Sequence, residues 1–167
     1  MEVPLILTLA LEEKAFLFFN SLRKIYFPPE RNFIDAHLTL FHHLPNDPLV
    51  IDAVKSYSAD HVAFELNVTE PVLIGNGVAY KIACDPLVQF HKQLQQKWTH
   101  FLIPQDKQRL WPHVTVQNKV PSEDAKQLLL FLQQNFSGFA TQGTALQLWE
   151  YHRGPWKLLQ SFPLRQS

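Results

Sequence analysis

Apolar positions along the chain follow two periods, one typical of strands and one typical of helices. Short runs rich in β-branched residues and leucine predict strands at residues 3–9 and 78–83. Apolar residues spaced three and four apart follow each run and predict amphipathic helices. The first helical face is Ala15, Phe18, Phe19 and Leu22, and the second is Leu87, Phe90, Leu94 and Trp98. A strand followed by a helix is therefore predicted twice along the chain.

The same order of elements continues after both helices. Two further helical faces are Val50, Ala53, Val54 and Tyr57, and Ala125, Leu128, Leu129, Leu132 and Phe136. Extended stretches at residues 63–74 and 139–151 follow them and lead into turns that contain glycine. The predicted order is strand, helix, strand, helix, strand, repeated once and completed by a strand at residues 156–163.

A repeated tetrapeptide sets the spacing of this duplication. His37-Leu38-Thr39-Leu40 returns as His113-Val114-Thr115-Val116, an offset of 76 residues that also superposes the surrounding strands and helices. We therefore predict one domain over residues 1–167 with an α+β fold. It consists of two pseudo-symmetric lobes, each an antiparallel sheet with outer helices, around a central cleft. The first lobe covers about residues 1–75 and the second about residues 76–167.

Composition and charge narrow the class of protein. The 15 basic and 15 acidic residues cancel, so the broad positive field that holds long nucleic acids is missing. Cys84 is the only cysteine, which excludes an internal disulfide and a cysteine-rich zinc site. Glu2 stands where a signal peptide would be basic, and no apolar run reaches a membrane-spanning length. We expect a cytoplasmic monomer without a membrane anchor that acts on a small molecule or a short RNA end.

Strand alternation groups the polar residues of each tetrad on one face. Leu38 and Leu40 then point to the opposite face, towards the core under the helices. Two imidazoles that face each other across a substrate suit acid–base catalysis, because a histidine with a pKa of about 6.5 can take or release a proton at neutral pH. Neighbouring hydroxyls can donate hydrogen bonds to phosphate oxygens. This chemistry needs no metal and no cofactor, and its predicted catalytic residues are His37, Thr39, His113 and Thr115.

Residues near the tetrads are candidates for substrate binding. Arg31, in the loop before the first tetrad, and Arg153, in the last turn, are cations that can overhang the cleft. Phe41 and Gln117 continue the expected cleft-facing register, so Phe41 is a candidate for stacking on a base and Gln117 for hydrogen bonding to its edge. Core packing is the alternative role for Phe41, and solvated surface charge is the alternative for the arginines.

Two other functions stay open at this point. His42 and His43 follow the first tetrad, and alternation puts His43 on the face of His37, so a metal-dependent hydrolase is one alternative. The other is a non-catalytic module that binds a nucleotide or an RNA end in the same cleft.

Two segments resemble the twin His-x-Thr-x signatures of the 2H phosphoesterases: residues 34–41 (IDAHLTLF) and 111–116 (WPHVTV). Within this group the chain is similar to the proteins named after 2'-5' RNA ligase, over essentially its whole length. The resemblance implies the two-lobed fold, with both His-Thr pairs lining the cleft. It also implies opening of 2',3'-cyclic phosphates on nucleotides or RNA ends, or of related 2'-5' phosphodiesters, with 2'-5' ligation as a weak reverse reaction.

Overall fold

The structure is a computed structural model that describes residues 2–166. The elements follow in the order β1 (Leu5–Leu11), α1 (Glu13–Tyr26), β2 (Leu38–Leu44), α2 (Pro48–Asp60), β3 (Phe64–Leu73), β4 (Val78–Ala83), α3 (Asp85–Lys97), β5 (His113–Gln117), α4 (Ser122–Gln133), β6 (Phe139–Tyr151) and β7 (Trp156–Pro163). Short 3-10 turns precede the two tetrads, at Pro29–Arg31 and Pro104–Lys107. The predicted order of elements and the α+β class are confirmed.

All the named strands join one antiparallel sheet in the order β2-β1-β6-β3-β4-β5, with β7 paired to β6. The long strand β6 has β1 along one edge and changes partner along the other, from β3 at residues 139–143 to β7 at residues 145–151. Gly143 lies at this change of partner, where a Cβ atom would overlap the side chain of Leu9. The side chain of Leu9 therefore packs in the space that a Cβ atom at this position would need.

The two halves of the repeat exchange their third strands. β3, from the first half, pairs with β4 of the second half, and β6, from the second half, pairs with β1 of the first. Helices cross in the same way, since α1 packs on β5 and α4 packs on β3. The strands of the two halves thus join in one continuous antiparallel sheet, and the lobe boundary near residues 74–78 stays a prediction.

The two strands that carry the tetrads, β2 and β5, stand at opposite ends of the strand order. They nevertheless lie in contact, because the sheet curls until its two edges approach each other. The cleft expected between the lobes is therefore a gap between edge strands. Duplication supplies two equivalent edges, and the curl turns them towards each other.

The hydrophobic core packs against one face of the tetrad strands β2 and β5, opposite to the face that lines the cleft. Leu38 and Leu40 of β2 and Val114 and Val116 of β5 are buried, as alternation predicts. Burial of each of these side chains contributes about 2 kcal/mol to folding. The histidine and threonine of each tetrad remain half-buried on the other face.

Within residues 2–166, no helix has the length and apolar character that crossing a bilayer requires.

Candidate active site

One cleft of about 570 Å³ contains all four tetrad side chains: His37, Thr39, His113 and Thr115. The charged and aromatic residues that complete its lining are Arg23, Arg31, Arg109, His42, His91, Asp106, Phe27, Phe33, Trp111 and Trp156. A cavity of this size is typical of sites for ligands the size of a nucleotide.

The two tetrad histidines are anchored in the same way. Nδ1 of His37 lies 2.8 Å from the carbonyl oxygen of Asp35, and Nδ1 of His113 lies 2.6 Å from that of Trp111. Because a carbonyl oxygen only accepts hydrogen bonds, Nδ1 carries the proton in each neutral ring. Nε2 of each ring is then the atom available to exchange a proton with a substrate.

Each of these imidazoles also lies against a tryptophan. The ring centroids of His37 and Trp156 are 4.9 Å apart, and those of His113 and Trp111 are 4.7 Å apart. The indoles limit rotation of the imidazoles and keep water from one side of each ring. The carbonyl anchors at Asp35 and Trp111 are equivalent under the 76-residue repeat, whereas the two tryptophans come from unrelated positions, Trp111 before β5 and Trp156 in β7.

Burial lowers the pKa of both histidines. Desolvation lowers the pKa of His37 to about 4; the hydrogen bond to Asp35 opposes the shift, and the charge of Arg23 adds to it. Desolvation also lowers the pKa of His113, against the effect of its bond to Trp111. Both rings are therefore neutral at pH 7 when no charged ligand is bound in the cleft. An anion bound between them raises both pKa values.

A third histidine of the cleft, His42, is anchored by a carboxylate. Its Nδ1 lies 3.1 Å from Oδ1 of Asp106, which is 2% exposed. The same carboxylate accepts hydrogen bonds from the backbone amides of His42 and His43, at 2.8 and 2.9 Å. His43 lines a different pocket, so the expectation that it shares the face of His37 is wrong.

Two bulges in β2 cause this change of face. Thr39 pairs with Thr8, Phe41 pairs with Leu7, and Leu44 pairs with Leu5. In each interval β2 contains one residue more than β1, and every extra residue interrupts the alternation of side chains. The register beyond Thr39 is therefore shifted, which brings His42 to the cleft.

The same shift corrects the prediction for Phe41. Its ring is fully buried and stacks on the His91 imidazole, with centroids 4.4 Å apart. Phe41 is therefore a core residue and has no surface on which a base can stack. Gln117 follows a register shift in β5 and is also buried, outside the lining of the cleft. Within residues 2–166 its Oε1 has no hydrogen-bond partner.

The two arginines predicted to bind substrate differ in their positions. Arg31 lines the cleft from the 3-10 turn before the first tetrad. Arg153 lies in a separate pocket together with His43 and Asn46. It occupies a tight turn with φ of 62°, and the residues of this turn that reach the cleft are Gly154 and Trp156.

Sequence reasoning missed Arg23, a cation near the end of α1 that is 4% exposed and lines the cleft. Arg23 stands four residues after Phe19 and eight after Ala15, on the apolar face that predicts the helix. A charged residue on that face was the available signal, because arginine is rarely buried without a specific partner. Asn20, on the same helix, accepts a hydrogen bond from the backbone amide of Ala36 at 2.9 Å and so supports the approach to the first tetrad.

The described part of the chain, residues 2–166, contains no group of three or more His, Cys, Asp or Glu side chains arranged as metal ligands. His42 and His43, the pair behind the metal alternative, face different pockets.

A duplicated α+β fold with a His-Thr pair from each half in one cleft defines a 2H phosphoesterase. The family model described as the 2'-5' RNA ligase superfamily matches residues 11–155. The chain belongs to the 2'-5' RNA ligase superfamily.

Solved structures with the same fold cover the chain almost completely. TT0787 of Thermus thermophilus is 14% identical with a TM-score of 0.67, over 98% of this chain and 99% of that chain. A protein described as a phosphoesterase is 16% identical with a TM-score of 0.60, over 99% and 100% of the two chains. E. coli LigT complexed with 3'-AMP is 17% identical with a TM-score of 0.56, over 99% and 100%. Other LigT structures are complexed with NADP+ and with ATP. A search of curated proteins finds no match.

Proposed function

We propose that the protein hydrolyses a small phosphodiester by metal-independent acid–base catalysis between His37 and His113. The substrate is a 2',3'-cyclic phosphate at the end of a nucleotide or an RNA, or a related 2'-5' phosphodiester. The proposal rests on two imidazoles in one cleft, each with Nδ1 bonded to a carbonyl oxygen and with a threonine beside it. Both catalytic pairs belong to one chain, so we expect the active species to be a monomer.

The reaction assigns one proton transfer to each histidine. One Nε2 takes a proton from water while the water oxygen forms a bond to phosphorus, and the other Nε2 gives a proton to the ribose oxygen whose bond to phosphorus breaks. The hydroxyls of Thr39 and Thr115 donate hydrogen bonds to the non-bridging oxygens, where negative charge grows. Ligation uses the same two proton transfers with a different nucleophile. One Nε2 takes the proton of a 5'-hydroxyl of a second RNA end while that oxygen forms a bond to phosphorus. The other Nε2 gives a proton to the 3'-oxygen whose bond to phosphorus breaks, which leaves a 2'-5' phosphodiester.

The charges of the cleft support a phosphate substrate. Three arginines line it, Arg23, Arg31 and Arg109, whereas the carboxylate of Asp106 is already bonded to His42 and two backbone amides. The whole chain carries no net charge, so this positive potential is local. A local potential suits a ligand with one or a few phosphates better than a long nucleic acid.

Two exposed aromatic residues of the cleft support recognition of a base. Phe33 is 55% exposed and Trp111 is 39% exposed, and both belong to the lining. Exposed rings of this kind stack on nucleobases with little dependence on base identity. The nucleotides bound by E. coli LigT agree with a ligand of this class.

Turnover measurements on a panel of substrates test the proposal. The panel contains 2',3'-cyclic nucleotides, oligoribonucleotides with cyclic ends and 2'-5' dinucleotides, with the products identified. We expect His37→Ala and His113→Ala each to lower kcat/KM by about two to four orders of magnitude. His100→Ala, which changes an exposed histidine outside the cleft, serves as the control and keeps full activity.

The alternatives give different results in the same assay. A binding module binds the cyclic nucleotide without consuming it, and a metal-dependent hydrolase loses activity with a strong chelator. Full activity in both histidine variants contradicts the catalytic assignment.

A further inference from the structure

The guanidinium of Arg23 is a buried cation without a carboxylate partner. It is 4% exposed, and no salt bridge includes it within residues 2–166. Arginines this deeply buried are normally paired with an acid, because removing a charge from water is costly. Burial lowers the pKa of Arg23 to about 10, and the charge of Asp35 only partly opposes the shift. The structure therefore leaves a positive charge in the cleft that an anion can neutralise.

The guanidinium is held in one orientation. Nε donates to Oδ1 of Asn32 at 2.7 Å and to the carbonyl oxygen of Ile34 at 2.9 Å, and Nη1 donates to the carbonyl oxygen of Thr115 at 2.9 Å. The plane also packs on the ring of Phe27, with Cζ 3.9 Å from the ring centroid. These contacts remove the rotational freedom that a flexible cation loses when it binds a ligand.

Part of the guanidinium has no protein partner. Of its five N–H groups, the bonds above use the one on Nε and one on Nη1. The two N–H groups on Nη2 and the second on Nη1 have no acceptor in the described part of the chain. They form the edge of a planar fork, and this geometry suits two oxygens of a phosphate.

We propose that Arg23 binds the phosphate group of the substrate through this edge and that the substrate supplies the negative charge missing from the cleft. The inference rests on the proposed function and names the phosphate-binding residue of that same site. Arg23 comes from the first half of the chain and holds the backbone of Thr115 in the second half. A phosphate on Arg23 is therefore coupled directly to the strand that carries the second histidine and threonine.

Arg31 and Arg109 also line the cleft, but both are exposed. Water and salt screen charges at such positions, whereas the charge of Arg23 acts in a region of low dielectric. We therefore expect Arg23 to contribute more to phosphate affinity than either of them. Its effect is larger for a phosphate dianion, the form of the opened product, than for the monoanionic cyclic ester.

Phosphate affinity in matched variants tests this role. Binding of 3'-AMP is measured by calorimetry on folded wild type, Arg23→Gln, Arg23→Lys and Lys24→Gln. We expect Arg23→Gln to weaken binding by about 10- to 100-fold, the effect of a lost charged hydrogen bond. Arg23→Lys keeps the charge but not the fork and loses less. Lys24→Gln removes an exposed cation from the same helix and binds like wild type.

A purely structural role gives a different result. If Arg23 only links α1 to β5, Arg23→Gln lowers the melting temperature but leaves the affinity of the folded protein for 3'-AMP unchanged, which overturns the proposal. Where Arg23→Gln does not fold, Arg23→Lys decides: wild-type affinity overturns the proposal and reduced affinity supports it.

Turnover of 2',3'-cyclic AMP, measured in parallel, separates this inference from the proposed function. A wild type that turns over neither 2',3'-cyclic AMP nor any other member of the substrate panel refutes the hydrolase, whereas weaker 3'-AMP binding in the Arg23 variants still supports the phosphate site. An active wild type together with unchanged 3'-AMP binding in both Arg23 variants overturns only the role of Arg23.

Discussion

Asp106 is bonded to His42 twice, through the backbone amide at 2.8 Å and through the imidazole at 3.1 Å. The aspartate belongs to the 3-10 turn before the second tetrad, and the histidine follows the first tetrad. This pair therefore connects the two edges of the sheet at one end of the cleft. The buried carboxylate fixes both the distance between the edges and the direction of the third histidine.

Removal of this carboxylate is expected to destabilise the fold. Asp106→Ala leaves the backbone amides of His42 and His43 without their carboxylate acceptor, and we expect the free energy of unfolding to fall by about 3 kcal/mol. Asp106→Asn keeps one carbonyl oxygen and is expected to lose less. Urea unfolding measures both, with the exposed Asp52→Ala as a control that changes stability by less than about 0.5 kcal/mol. Equal stability of Asp106→Ala and wild type would show that the carboxylate does not hold this connection.

The lowered pKa values predict a pH optimum for hydrolysis on the acidic side of neutrality. The general base must be unprotonated and the general acid protonated, and the pKa values of His37 and His113 both lie below 6.5. Above pH 6.5, kcat/KM for a 2',3'-cyclic nucleotide is therefore expected to fall about tenfold per pH unit as the acid loses its proton. Initial rates between pH 4 and pH 9 measure this profile, with circular dichroism as the control for folding. A rate that rises steadily to pH 8 contradicts the prediction.

The same burial predicts that the fold is less stable in acid. The pKa values of His37, His91 and His113 are lower in the folded chain than their ordinary value of 6.5, mainly through desolvation. Between pH 6.5 and pH 4 the unfolded chain thus binds more protons, so the free energy of unfolding decreases as the pH falls. Above pH 6.5 these groups have little effect. Urea unfolding across this range, compared with His37→Asn, measures the slope, which is expected to be shallower in the variant.

The threonine hydroxyls are expected to act in the chemical step. Thr39→Val and Thr115→Val keep the shape of the side chain but remove the donor, and we expect each to lower kcat by about 10- to 1000-fold. Thr39→Ser and Thr115→Ser keep a hydroxyl and are expected to recover most of the rate. Steady-state kinetics on a 2',3'-cyclic nucleotide distinguish the two pairs. Valine variants as active as the serine variants rule out a role for the hydroxyls in stabilising charge.

Gly77 is expected to tolerate no side chain, because a Cβ atom there would overlap the backbone carbonyl oxygen of Gln117. Gly77→Ala must displace the end of β5, and we expect it to lower the free energy of unfolding by about 3 kcal/mol. Gly75 in the same loop has a φ of 50° and open space around it, so Gly75→Ala costs only about 1 kcal/mol. Thermal unfolding of the two variants provides the comparison. A Gly77→Ala protein no less stable than Gly75→Ala means that the loop adapts to the extra methyl group.

Local periodicity predicted the elements well, because each helix and strand buries one face and the repeat confirms the pattern. It failed beyond Thr39, since two bulges that depend on pairing with β1 moved Phe41 into the core and His42 to the cleft. The position of Arg23 in the cleft was not predicted either, because its partner Thr115 lies 92 residues away along the chain. Contacts set by distant strands leave no signal in the spacing of neighbouring residues.

The exchange of β3 and β6 between the two halves makes each half dependent on the other. Residues 1–75 alone would leave β3 without its two neighbours, β4 and β6, and would leave β1 paired only with β2. Two identical short chains could complete such a sheet only by lending each other a strand, as domain-swapped dimers do, and they would separate on dilution. Joining the copies covalently replaces that bimolecular association with a high effective concentration. The single chain therefore keeps the two edges of its cleft together at any protein concentration.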